Sequence, residues 1–520
     1  MEPAQHSQFP PSRRLFSSPV VSVLLALAAG LTLRLWMLGK FFQVNGDSLI
    51  YGGLAKNLLL HGRYALNGTG GELYPTLIRL PGYPLFLALC FRLFGMENYV
   101  AVCWAQIALE LAGCLLLADF ARRIVPTHLQ LGTAQATLWL AALCPFTAVY
   151  AANPLTEAPT LFVLVVALWS AERFRSHPAW PSALAFTFAV SYAALLRPDG
   201  ALVAVALAPA LIWSLRPASG KPTLFRTKTG CPTLAASLFL QLGWDRTNPI
   251  QTHREEQETA CPDPKKLARL AIICALLALA PFALWTVRNY QVFQVFEPLA
   301  PRLATDPGED PHPGWERWTK SWCLDFVSTY NVYWNVPGGS LDLSQLPDRA
   351  FDSPAQRAET AALADDYNQN QELTHEIDLR FGKLADEREA AHPLRSRLWL
   401  PLGRMADMWL RPRVENLPID LDWWVYEHHN DETRFSWAYA GLNAVYLLLG
   451  LAGLCLRPRW AAAMLAYFVL RSALLTTIEA PEARYTIECF PMLFVLGGIG
   501  LWAGLKKLGL VVGRLCYKKR

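Results

Sequence analysis

The feature that most constrains this chain is the length of its apolar runs. Ten blocks lie at 19–38, 98–119, 131–150, 158–172, 180–196, 200–215, 269–287, 437–456, 460–478 and 488–505. Each approaches the roughly 20 residues an α-helix needs to cross hydrocarbon. Most are apolar on every face, as a helix in lipid must be, because backbone groups can be satisfied there only from within the segment. With 53% hydrophobic and 17% charged residues over 520 positions, the pattern predicts an all-α, polytopic membrane protein of about ten spans.

Lys and Arg set the expected orientation, since short cytoplasmic loops carry their excess. Arg13 and Arg14 precede the first block. With that end inside, Arg122, Arg123, Arg173, Arg175, the 216–268 segment, Arg457, Arg459 and the basic tail 506–520 all fall on the same side. The net charge of +5 reflects this asymmetry and is not read as a nucleic-acid footprint. Ser12-Arg13-Arg14-Leu15-Phe16 has the form of a twin-arginine signal, but the apolar run continues past Ala26-Leu27-Ala28 and favours an uncleaved first helix. The eleven cysteines show no C-x-x-C pair and imply no disulfide framework.

The expected organisation is a cytoplasmic N-terminus (1–18) and a first membrane part (19–215) containing an external loop at 39–97. A cytoplasmic linker (216–268), a further span with an external Arg-Asn-Tyr motif (269–299) and an external domain (300–436) follow. The last spans (437–505) and the tail complete the chain. Within the first loop, 83–94 is too short to span and fits a helix lying in, or re-entering, the interface. Residues 216–268 read as a mostly disordered linker. Residues 393–410 alternate charge with Leu, Trp and Met, which suits a helix lying on the membrane.

Under this topology one set of polar residues gathers on the outer face: Asp47, Arg79, Asn153, Glu157, Arg197, Asp199, Arg288, Asn289, Glu479, Glu482, Arg484 and Tyr485. Ionisable groups at membrane depth are costly, so they usually pair or act.

Several of these residues stand in motifs. They are Gly46-Asp47 with Tyr51 and Leu54-Ala55-Lys56-Asn57, Pro75-Thr76 with Arg79 and Pro81-Gly82-Tyr83-Pro84, and Pro154-Leu155-Thr156-Glu157. Leu196-Arg197-Pro198-Asp199-Gly200, Arg288-Asn289-Tyr290 and Ala483-Arg484-Tyr485 complete the set. In these the chain resembles GT-C glycosyltransferases of the family 39 type, the protein O-mannosyltransferases and aminoarabinose transferases. The resemblance covers the membrane core, about two thirds of the chain, and leaves 300–436 and the acceptor undefined. It implies sugar transfer from a polyprenyl-phosphate donor, with Asp47 as the catalytic carboxylate, and the expected topology puts that site at the outer face of a bacterial-type inner membrane. One base that takes the acceptor's proton suits inverting transfer.

The residues also have plainer readings. Asp47 can cap a helix over 48–60. Arg288 and Arg484 are candidates for the donor phosphate, through bidentate, permanently charged contacts, or are anchors at span ends. Glu157 is a second catalytic candidate, or the dipole-favoured first residue of 158–172. Whether Asp47 and Glu157 share a divalent metal is left open, because Ser48 stands where the family often has an acid. Arg79, Tyr83, Arg197, Asn289 and Tyr485 are supporting residues, with Arg197 and Asp199 a candidate ion pair about a tight turn. His428-His429 lacks a third ligand at zinc spacing and is not read as a metal site. Membrane lipids and the lipid-linked donor are the expected partners, with no nucleic acid. The rival readings are a transporter or flippase, against which no matched broken halves are found, and a non-catalytic scaffold.

Overall fold

The computed structural model describes residues 19–68, 70–214, 264–301, 305–425 and 427–517. The expectations for the N-terminus (1–18) and for most of the 216–268 linker therefore lie outside the described residues.

The chain builds α1 (Pro19–Phe41), α2 (Asp47–His61), α3 (Gly82–Phe94), α4 (Tyr99–Arg123), α5 (Gln130–Ala142), α6 (Pro145–Ala151), α7 (Glu157–Ser176), α8 (Trp180–Leu196) and α9 (Leu202–Ser214). After the undescribed stretch come α10 (Pro264–Phe293), α11 (Pro313–Lys320), α12 (Pro354–Asn368), α13 (His375–Ala391), α14 (Leu400–Leu410), α15 (Asn430–Cys455), α16 (Ala461–Leu475) and α17 (Phe490–Tyr517). The one sheet among the described residues is a hairpin of β1 (Ala65–Asn67) and β2 (Leu73–Pro75), paired antiparallel with Leu66 opposite Tyr74.

The chain is an all-α, multi-pass membrane protein, and the expected span 131–150 is divided between α5 and α6. Among the described residues, five helices are long and apolar enough to cross a membrane by themselves. A sixth candidate is the pair Thr127–Ala142 and Pro145–Ala151, bent by 55°. The shorter helices α8, α9 and α16 pack against the bundle beside α7. At 13 residues, or about 20 Å, α3 is too short to cross and is wedged against α2, α4 and α8. Its start requires a glycine: a Cβ on Gly82 would stand 2.5 Å from the Leu195 carbonyl oxygen. The flanking α10 runs along α8 and leaves most of its apolar surface outward, the arrangement of a lipid-facing helix.

Residues 305–411 form a helical unit with a separate core. Trp315, Trp318 and Trp322 share one face by helical spacing and close on Phe381 of α13, with ring centroids 5.0 and 4.9 Å away for the first two. Both Asp378 oxygens accept from the first amides of α11, those of Gly314 and Trp315. Residues 393–410 do not form one continuous α-helix. A π-type turn (Arg395–Trp399) leads into α14, whose buried Arg404 donates to the carbonyls of Lys320 and Cys323. Leu398, Trp399, Leu402 and Leu410 are left exposed.

Candidate active site

Helix α2 starts at Asp47 because Gly46 turns the chain at φ +48°, a conformation that costs glycine little. No side chain caps this helix. The Asp47 carboxylate turns to two arginines instead: Oδ1 accepts from Arg79 Nη2 at 2.9 Å and Oδ2 from Arg484 Nη1 at 3.3 Å. Burial pushes this carboxyl up, but the guanidiniums of Arg484 and Arg79 outweigh it and hold the group below the ordinary carboxylate range. A quarter of the Asp47 side chain remains exposed.

Glu157 is the first residue of α7 and is almost fully buried. Its Oε1 lies 3.3 Å from Arg197 Nη1 and 3.9 Å from Arg484 Nη1. Arg484 therefore stands between Asp47 and Glu157, in the place a shared cation would take. The two carboxylates do not form a metal cage here, since the Arg484 guanidinium contacts both. Arg484 is further fixed by Glu482 at 2.6 Å, and Glu482 also accepts from the Tyr485 hydroxyl.

Arg197 follows α8 and precedes Pro198. A residue before proline is driven to extended backbone, so the helix stops and Arg197 (φ −149°) turns into the bundle. Its Nε lies 3.0 Å from Glu488 and 3.5 Å from Asp199. The expected Arg197–Asp199 contact is thus the longer one, and Asp199 pairs chiefly with Arg471. Arg471 in turn reaches Glu488 at 3.1 Å and the Tyr485 carbonyl at 2.9 Å. Arg471 and Glu488 were missed in the sequence because they lie inside apolar blocks. A charge in such a block is itself the signal that could have found them.

Tyr83 and Asn153 form a buried relay beside this cluster: the Tyr83 hydroxyl donates to Gln106 at 2.8 Å, and Gln106 donates to the Asn153 carbonyl at 2.7 Å. The structure does not bring Arg288 to Asp47. Its guanidinium donates to the carbonyls of Thr76 and Tyr64 and to Asn289 Oδ1, bracing the base of the hairpin, while Asn289 donates to the Glu297 carbonyl. The Tyr64 hydroxyl holds the carbonyls of Arg79 and Leu80. Arg288 thus meets the site through Tyr64 and Arg79.

The helical unit grips the strip that carries Arg484. Lys320 lies 3.0 Å from Glu479, and just beyond the unit the buried Arg413 donates to the Ala483 carbonyl at 2.7 Å and to Thr486. Of the clustered charges, Asp47, Glu157 and Glu488 stand at or just before the starts of α2, α7 and α17, and Arg197 and Arg471 near the ends of α8 and α16.

Residues 78–240 match the sequence model of a family described as dolichyl-phosphate-mannose-protein mannosyltransferase. This bears out the resemblance to GT-C glycosyltransferases of the family 39 type. No protein of curated function matches. Among solved structures, the chain is similar to the Archaeoglobus fulgidus oligosaccharyltransferase in its apo form, at 12% identity and a TM-score of 0.45, covering 97% of this chain and 52% of that one. It is also similar to ArnT from Cupriavidus metallidurans bound to undecaprenyl phosphate, at 16% identity and a TM-score of 0.37, covering 92% and 77%. The chain spans about half the length of the oligosaccharyltransferase.

Proposed function

We propose that this chain, with its GT-C-type core, is a membrane glycosyltransferase that moves a sugar from a polyprenyl-phosphate donor to an acceptor at the outer face of a bacterial-type inner membrane. The observation that carries this reading is the half-buried Asp47 carboxylate held between Arg79 and Arg484, at helix ends of a bundle whose 78–240 segment matches a family named for a lipid-phosphate sugar. A lipid-linked donor suits such a place, because its phosphate can enter between span ends while its chain stays in hydrocarbon.

In this reaction the acceptor's nucleophilic atom bonds to C1 of the sugar as the C1–O bond to phosphate breaks. Asp47 takes the acceptor's proton, and the polyprenyl phosphate leaves with the electron pair, so the anomeric centre inverts. Arg484 is the group placed to meet the phosphate, since a guanidinium stabilises charge as it develops on a leaving oxygen. A carboxylate held by two arginines is a weak base. A phosphate that draws Arg484 toward itself removes one of those partners and makes Asp47 more basic when the donor is bound. Glu157, itself paired with Arg197, faces Arg484 from the other side. Arg288 acts in this scheme as a positioning residue, through Tyr64 and Arg79.

Asp47→Asn keeps the shape and cannot take the proton. Loss of a general base costs about 10²–10⁴-fold, so purified Asp47→Asn is expected to bind polyprenyl-phosphate sugar and turn it over at that reduced rate. Near-parental turnover would remove Asp47 from the mechanism, and a retained anomeric configuration in the product would exclude the single-displacement step.

A further inference from the structure

We propose a second site: a transition-metal centre of the Zn²⁺ class at the head of α15, built from His429, Asp420 and Glu432. His429 immediately precedes α15, Glu432 lies in its first turn, and Asp420 comes from the preceding loop. One ligand atom from each falls within 4.8 Å of the others, the one such group of His, Cys and acidic residues among the described residues. Sequence spacing concealed it, because the ligand that joins His429 is not its neighbour His428. The loop folds back to supply Asp420.

The geometry fits ligation better than ion pairing. His429 Nδ1 lies 3.3 Å from Asp420 Oδ2 and 4.0 Å from Glu432 Oε2. A charge-assisted N–H···O⁻ bond runs about 2.7–2.9 Å, so neither is a good imidazolium bond. Atoms bound tetrahedrally at about 2.0–2.2 Å stand roughly 3.3–3.6 Å from one another, so small movements complete the set. The other ring nitrogen, Nε2, lies 3.2 Å from Asp422 Oδ1. That puts a carboxylate beside the ring nitrogen that would not bind the ion, as in the carboxylate–histidine–metal arrangement. Three carboxylates thus surround one imidazole, a charge excess that a dication neutralises, and a mixed N/O donor set favours zinc over calcium or magnesium.

The frame is already built. The Asp420 amide donates to Glu432 Oε2 at 2.9 Å, the Thr433 hydroxyl donates to the Trp423 carbonyl, and the Trp423 and Trp437 rings meet at 5.9 Å. Asp420 and Asp422 are more than half exposed, leaving an open path for the ion. This centre is separate from Asp47 and Glu157, and its test does not depend on sugar transfer.

The full chain, purified in detergent and stripped with chelator, is to be titrated with Zn²⁺ and the bound metal measured by mass spectrometry and calorimetry. About one equivalent is expected, with a raised unfolding temperature that chelator reverses. His429→Ala and Glu432→Gln are expected to lose both responses, whereas His428→Ala and Asp47→Asn keep them. No stoichiometric zinc in the parent would overturn the proposal, as would full binding by folded His429→Ala and Glu432→Gln, or binding of Ca²⁺ alone.

Discussion

Two of the buried charge assemblies in this bundle are built differently. Deep between α1 and α4, Arg34 Nε meets Glu110 Oε2 at 2.8 Å, with the side chains 0% and 8% exposed. The rest of the guanidinium goes to backbone: Nη1 donates to the carbonyls of Gly30 and Ala142, and Nη2 lies 3.5 Å from that of Ala141. Those last two carbonyls end α5, where the chain bends by 55° into α6. Pro145 has no N–H for Ala141, and Arg34 fills that place. The pair is closed, with each charge spent once. At the Asp47 end, by contrast, arginines and carboxylates share partners, and Asp47 opens to solvent. A closed pair repairs a broken helix. An open network with shared partners can exchange one for an incoming phosphate.

If that contrast is right, the two assemblies fail in opposite ways. Asp47→Asn removes activity while leaving the fold, the largest effect expected on turnover. Arg34→Leu strands a buried carboxylate and two carbonyls. Breaking one side of a buried pair costs about 3–5 kcal/mol, so a large drop in thermal unfolding temperature is expected, with Arg34→Leu/Glu110→Leu recovering part of it. An Arg34→Leu variant as stable as the parent would sink the account of Arg34 as the brace of the bend.

A smaller split is expected between two arginines that looked equivalent in the sequence. Arg484→Lys keeps the charge but loses the fork that reaches Asp47 and Glu482. A hydrogen bond to a charged group is worth about 1.5–3 kcal/mol, so turnover is expected to fall about ten- to hundredfold. Arg288→Lys touches the site only through Tyr64 and Arg79 and is expected to cost less, with donor affinity near parental. Equal losses of donor binding in direct measurements would put both arginines on the phosphate.

The same contrast explains what could be read from sequence. Asp47, Arg79, Glu157, Arg197 and Arg484 were legible as candidates because each stands between apolar blocks within three residues of a Pro or Gly, and span counting put those segments on one expected face. Arg471, Glu488 and the Arg34–Glu110 pair were hidden inside blocks counted as lipid-compatible, where mean hydropathy dilutes a single charge. Arg288 was grouped with Arg484 because adjacency to a span end fixes depth but not direction. Its direction depends on the β1–β2 hairpin, whose three-residue strands give almost no periodic signal. The 300–436 domain was expected as mainly helical, yet its hold on the Arg484 strip through Arg413 follows from contacts between residues 70 apart, which no local pattern encodes.

The smallest expected effect concerns Arg79, the partner that the phosphate need not displace. Asp47 is held below the ordinary carboxylate range, about 3.9, with Arg484 the larger cause and Arg79 the next. A group whose folded pKa is depressed contributes stability above its unfolded pKa and loses it as pH falls through the folded value. Asp47 therefore stays ionised at neutral pH, and the acid limb of kcat/KM, which reports the free enzyme's base, is expected below that range. Arg79→Met removes one of the two opposing charges and leaves burial in place, so the limb is expected to move upward. Turnover on the pH plateau should change little, because Arg484 still faces the phosphate. If Arg79 only shapes the Pro81-Gly82 turn, the variant instead lowers activity equally at every pH, and an unmoved limb would take Arg79 out of the electrostatics of Asp47.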